Sequence, residues 1–270
     1  MAAMTPSRRR AFGEFFRGLR VQANVIGALI MREIHTRYGR QGLGFVWIIG
    51  EPMILALLVM SIRGTHATRG HDTMDPLVFI VLGYTMFMMF RSLWNRADGA
   101  LESNMTLLYH RMVTIFDILF ARGILDAFGS VGAFLVIVTV LIIMGIADFP
   151  ARPMDFVIGI LLLFWWSFSL SMIICAATYE NTVVQKFVHP ISYILLPLSG
   201  AFFAMEWLPY SAHQYVQWWP MVLIFEEIRY GWFETASDKF CFVGYTSLVC
   251  MVLTFIGLQS IRAVRNRIHL

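Results

Sequence analysis

Six apolar runs, at 43–62, 77–93, 127–147, 156–178, 188–204 and 240–261, dominate the 270-residue chain. A bilayer's hydrocarbon core needs roughly 20 apolar residues in a helix to cross it, because no water is there to satisfy an open backbone. The β-branched cluster at 136–143 would read as a buried strand in a soluble chain. The runs are too long for strands, however, and lack the alternating pattern of a barrel. The expected fold is an all-α membrane protein with six transmembrane helices.

Charge placement orients those spans. Before the first run, Arg8, Arg9, Arg10, Arg17, Arg20, Arg32, Arg37 and Arg40 face only two acids. With both termini in the cytoplasm, only Arg63, Arg69, Arg152, Arg229 and Lys239 of the 21 Lys and Arg residues fall outside. Short loops rich in Lys and Arg resist translocation, so this bias favours six spans with both ends inside. Phe12, Phe15, Phe16 and Leu19 recur at helical spacing among the arginines, which predicts an N-terminal helix lying in the headgroup region. Residues 7–12 contain a twin-arginine pattern, but Gln22, Asn24 and Arg32 interrupt any apolar core behind it, so no cleaved signal is expected. The chain thus divides into a cytoplasmic interfacial segment (1–42), a membrane domain (43–262) and a basic tail (263–270). Its net charge of +4 sits beside the spans, where anionic headgroups account for it without a nucleic acid partner. Cys175, Cys241 and Cys250 lie in apolar runs and are odd in number, which predicts buried thiols.

What the chain lacks narrows the function. It has no G-x-x-x-x-G-K-[ST] loop, and Lys186 and Lys239, its only lysines, follow no glycine-rich turn, so any ATP and magnesium must be held by a partner. No H-E-x-x-H or G-x-S-x-G pattern occurs, and no enzyme activity or cofactor is expected. His66, His71, Asp72 and Asp75 share the first external loop, a mixture that short polar loops produce by chance, and no metal is assigned. Glu51, followed by Pro52, is the one acid halfway along a span; it either pairs within a broken helix or faces a wet path.

Two segments carry the polar chemistry. Residues 95–112 form the longest cytoplasmic connection and predict a short amphipathic helix with Leu101, Met105 and Leu108 on one face. Such a helix floats in headgroups or docks on a soluble partner, with Asp98, Glu102 and Arg111 at the rim. Residues 205–239 concentrate Trp207, Tyr210, Trp218, Trp219 and other rings, broken by Pro209 and Pro220, as expected of helices that dip into the outer leaflet. Rings of this kind suit an interfacial belt or a sugar-binding exit.

In sequence order, Arg32-Glu33-Ile34-His35-Thr36-Arg37-Tyr38, Leu43-Gly44-Phe45-Val46-Trp47, Glu51-Pro52, the 95–112 loop, Ser199-Gly200-Ala201-Phe202-Phe203 with Leu208-Pro209, and Pro220 with Glu227 and Arg229 resemble the permeases of ABC-2 type exporters of capsular polysaccharide. The resemblance covers nearly the whole chain, with Trp219 a departure where many relatives carry Asn. It implies an inner-membrane homodimer, two copies of a separate ATPase, and periplasmic and outer-membrane export partners. The implied substrate is a lipid-linked acidic polysaccharide, with O-antigen, teichoic acid or a small lipophile as alternative cargoes. A membrane enzyme or a scaffold without transport is the competing class. The 95–112 region becomes the coupling helix, and two re-entrant helices follow span five. On that reading Arg32, Arg37 and Arg40 gather the anionic chain, or anchor headgroups. Phe45, Trp47, Glu51, Tyr84, Phe87, Tyr193, Phe202 and Phe203 mark its path, and Asp98, Leu101, Glu102, Met105, Leu108 and Arg111 meet the ATPase.

Overall fold

A computed structural model describes residues 8–38, 44–64, 74–108 and 113–267. Ten α-helices and two 3-10 turns form in these segments, and no strand occurs among the described residues. They are α1 (Arg8–Tyr38), α2 (Gly44–Gly64), α3 (Pro76–Ala97), α4 (Met105–Leu108), α5 (Ile115–Ile143), α6 (Pro153–Glu180), α7 (Thr182–Leu198), α8 (Tyr210–Val216), α9 (Pro220–Trp232) and α10 (Val243–Arg267).

Local chemistry sets several of the helix starts. Asp75 accepts the Leu77 and Val78 amides at 2.8 and 3.4 Å and Pro76 takes the first helical position, so α3 begins there. Thr114 and Asp117 form a reciprocal capping box for α5. Asn181 caps α7 through the Val183 amide at 2.9 Å, leaving a one-residue joint after α6.

Helices α3, α5 and α6 make the centre. α6 packs on α9, α10 and α3, α2 covers α3 and α5, α1 lies along α5, and α7 leans on α3 and α6. Phe116, Phe120, Phe164 and Phe168 interlock between α5 and α6, with ring centroids 5.2 to 6.1 Å apart in T-shaped and stacked pairs. Between α6 and α10, Trp165 Nε1 donates to Thr254 Oγ1 at 2.8 Å, and Ser169 and Thr254 share a hydroxyl contact of 2.8 Å. Such interhelical hydrogen bonds hold helices where lipid removes the hydrophobic drive between them.

Among the described residues, four helices are long and apolar enough to span a bilayer: Pro76–Ala97, Ile115–Ile143, Pro153–Tyr179 and Val243–Arg267. They fall on four of the six expected runs. α2 and α7 occupy the places of the first and fifth. The qualifying apolar part of α2 is Ile49–Ser61, and α7 runs 17 residues, about 25 Å of axis. α5 starts twelve residues ahead of its expected span at 127, because Asp117, Arg122 and Asp126 find partners instead of ending the helix. The single amphipathic helix expected in 95–112 is also corrected. α3 runs on to Ala97, Gly99 turns the chain at φ 64°, and only a 3-10 turn (Glu102–Asn104) and the one-turn α4 follow.

Candidate functional site

At one end of the bundle, α1, the 98–108 turn and α5 are tied by side chains from distant parts of the chain. Asn104, 1% exposed, donates to the Ala100 carbonyl at 2.9 Å and accepts from the Arg32 guanidinium. Glu33, on the next position of α1, pairs with Arg122 of α5 at 3.2 Å, and Arg122 also donates to Ser103 at 3.3 Å. Gln22 reaches Asp117 at 3.0 Å, so the acid that completes the α5 capping box also holds α1. Arg96 of α3 meets Asp126 of α5 at 3.3 Å. Buried Glu33, Asp117 and Asp126 thus each face a donor, as burial of a carboxylate requires.

A second arrangement runs along α3 and α7. In the direction of α3 from its start to its end, Tyr84 stacks with Phe202 (centroids 6.4 Å apart), the Arg91 guanidinium carbon lies 3.8 Å from the Tyr193 ring centroid, Trp94 Nε1 donates to the Val188 carbonyl at 2.8 Å, and His189 stands 3.9 Å from Asp98. α7 carries Pro190 and Pro197 inside the helix, and Gly200 follows at φ 84°, a left-handed turn open to glycine. α7 is therefore interrupted in its own hydrogen bonding and tethered to α3 by discrete side-chain contacts.

At the opposite end, Arg229 of α9 is fully buried. It pairs with Glu226 at 2.6 Å, donates to the Gly200 carbonyl and lies over the Phe79 ring at 4.7 Å. Glu226 also accepts the Met205 amide at 2.9 Å. One ion pair thereby fixes the turn after α7, the Met205–Trp207 turn and α9 onto α3. α3 comes so close there that a Cβ on Gly83 would collide with the Ala201 carbonyl. Neighbouring Glu227 is also buried; desolvation raises its carboxyl above the usual range, against the lowering effect of a Cys241 hydrogen bond.

The expected path residues separate in the structure. Tyr84, Tyr193 and Phe202 come together on one strip. Trp47 and Glu51 are exposed on α2, and Phe203 is half-buried in the turn after α7. Phe87, at 1% exposure, packs on Phe90 inside the bundle. Arg40 and Arg111 lie outside the described residues, as do the side chains of Arg37 and Phe45. Arg32 is committed to Asn104.

In the 98–108 segment, Leu101 and Leu108 are buried in this chain's own core and Met105 is half-buried, so the apolar face expected to meet a partner is already covered. Glu102, Ser103 and Thr106 form the exposed side, and Asp98 is half-buried beside His189. No group of three metal-ligating side chains occurs among the described residues, and Asp75, the described member of the His66/His71/Asp72/Asp75 set, is engaged as a helix cap. Arg91, Trp94, His189 and the Arg229–Glu226 pair escaped the sequence reading. The signal for Arg91 was available, an arginine inside an apolar run.

Comparison with known proteins bears on what this assembly does. Residues 24–233 match the family model described as ABC-2 type transporter. The capsule polysaccharide export inner-membrane protein BexB of Haemophilus influenzae is 34% identical over 248 residues, covering 92% of this chain and 94% of that protein. CtrC of Neisseria meningitidis serogroup A, which bears the same description, is 36% identical over 247 residues, 92% of this chain and 93% of its own. The polysialic acid transport protein KpsM of Escherichia coli is 27% identical over 245 residues, 91% and 95% of the two chains.

Proposed function

We propose that this chain, which belongs to the ABC-2 type transporter family, is the membrane permease of a capsular polysaccharide exporter in the bacterial inner membrane. The observation that carries this reading is similarity over about nine-tenths of both chains to inner-membrane proteins of capsule polysaccharide export. The reading is completed by a homodimer of six-span subunits with both ends cytoplasmic, two copies of a separate ATPase holding ATP and magnesium, and periplasmic and outer-membrane partners. In it α2 and α7 are the first and fifth spans. α9, at 13 residues about 20 Å long, is too short to cross and re-enters from the periplasm.

The geometry supports a route for the force. The ATPase bears on the exposed Glu102, Ser103 and Thr106. The load passes to α1 through Asn104 and Arg32, to α5 through Ser103 and Arg122, and to α7 through Asp98 and His189. α7, broken by two prolines, is the helix that re-tilts. A lipid-linked acidic polymer then advances past Trp47, Glu51, Tyr84, Tyr193, Phe202 and Phe203, with Phe45 on the same route and Arg37 and Arg40 at the mouth. Rings serve here because stacking on sugar faces is weak and tolerant, so a chain slides without being trapped.

The test is removal and restoration of the chain in its native host. Surface polymer should vanish, accumulate inside and return with the gene, and a Walker-motif ATPase should co-elute with the purified chain. Normal surface polymer in the deletion strain would refute the reading.

A further inference from the structure

The arginines of α3 and α5 are not alike. Arg96 has Asp126 and Arg122 has Glu33, each within 3.3 Å, whereas Arg91 has a ring and no carboxylate among the described residues. It sits six residues before the end of α3, about 9 Å along the axis, within a helix long and apolar enough to span. A guanidinium at that depth is costly unless it faces an anion or a wet path. Arg91 is only half-buried, and the Tyr193 ring that covers it is itself 59% exposed, so the pair opens outward from the bundle.

We infer that Arg91 is the charge-reading residue of the path: its guanidinium, held over the Tyr193 ring and beside Tyr84, accepts the carboxylate of an acidic sugar unit as the chain passes. The inference rests on the polysaccharide-export reading and deepens it by naming the group that selects an anionic polymer. A guanidinium presents parallel N–H donors that match a carboxylate in a two-point contact. Cation–π stacking holds the side chain in place between sugars without neutralising it, which an acidic partner would do. The flanking contacts, Tyr84 on Phe202 and Trp94 on the Val188 carbonyl, keep α3 and α7 in register around it.

Two measurements on the intact exporter test this. In the native host, Arg91→Gln should lower surface polymer roughly tenfold, the scale of one charge-assisted contact, while Arg91→Lys retains most of it. Membrane levels of the chain and the melting temperature of the solubilised complex should match wild type. In nanodiscs, the wild-type complex should bind a galacturonate oligomer roughly tenfold more tightly than its methyl ester, and Arg91→Gln should lose that preference while keeping the affinity for the ester. Wild-type export by Arg91→Gln, absence of any preference in the wild-type complex, or export lost in step with a lowered melting temperature would each overturn the inference. These outcomes leave the permease reading standing, since that reading fails only if deleting the whole chain spares surface polymer.

Discussion

Arg229 shows how a single buried charge can organise one end of a helical bundle. It is fully buried, and Glu226, the Gly200 carbonyl and the Phe79 ring surround it. Removing one member of such a pair strands the other charge away from water, at a cost of about 3 to 5 kcal/mol, whereas replacing both with apolar groups is often close to neutral. Arg229→Met alone should therefore destabilise the chain by about that amount, and Glu226→Leu with Arg229→Met should be markedly less damaging. Thermal unfolding of the solubilised protein, with steady-state membrane levels as a second readout, checks the order. Equal damage from the single and double variants would count against the pair as the organising contact. In the sequence Arg229 stood among the arginines expected outside and in the Pro220–Glu227–Arg229 part of the family resemblance, with no sign that it is buried. Nothing local announces burial, because its partners come from the start of α3, the turn after α7 and its own helix.

At the scale of elements, hydropathy located the long helices because a span is written in contiguous residues, and α3, α5, α6 and α10 fall where the runs predicted. It failed where polar residues continue a helix. Asp117, Arg122 and Asp126 looked like loop chemistry, yet each is satisfied by a residue far away in sequence, such as Gln22 at a separation of 95. The apolar face of the coupling segment was legible, but its burial in this chain's own core was not. The Arg32–Asn104 contact gives a direct check of that platform. Arg32→Ala and Asn104→Ala should each reduce export, and the double variant should be no worse than the more severe single, since both remove one link. Additive losses would separate the two residues. A second element-scale expectation concerns α7, whose prolines each cost roughly 3 kcal/mol of helix stability relative to alanine. Pro190→Ala should raise thermal stability and lower export at unchanged ATPase binding, because a continuous helix resists re-tilting. A stabilised variant with normal export would remove Pro190 from the moving parts.

For the whole molecule, the charge bias and the helix lengths make one joint demand on topology: the Arg32–Asn104–Arg122 platform and the Arg229 node must face opposite sides of the bilayer. Cys175 and Cys250 are buried, so Cys241→Ala supplies a background in which introduced thiols can be read. Thr235 is exposed beyond α9, on the side of the node. Thr235→Cys should react with a membrane-impermeant maleimide in intact spheroplasts, whereas Thr106→Cys, on the exposed side of the platform, should react only after permeabilisation. A Cys at His269 should behave like the one at Thr106, since an even number of spans returns the chain to the side from which it started. Labelling of the His269 position from outside would require an odd number of crossings. With Thr106 inside, it would remove α7, the shortest of the four proposed spans between Thr106 and the tail, from the spans, and with it the proposed route of force from the platform to a membrane-crossing α7.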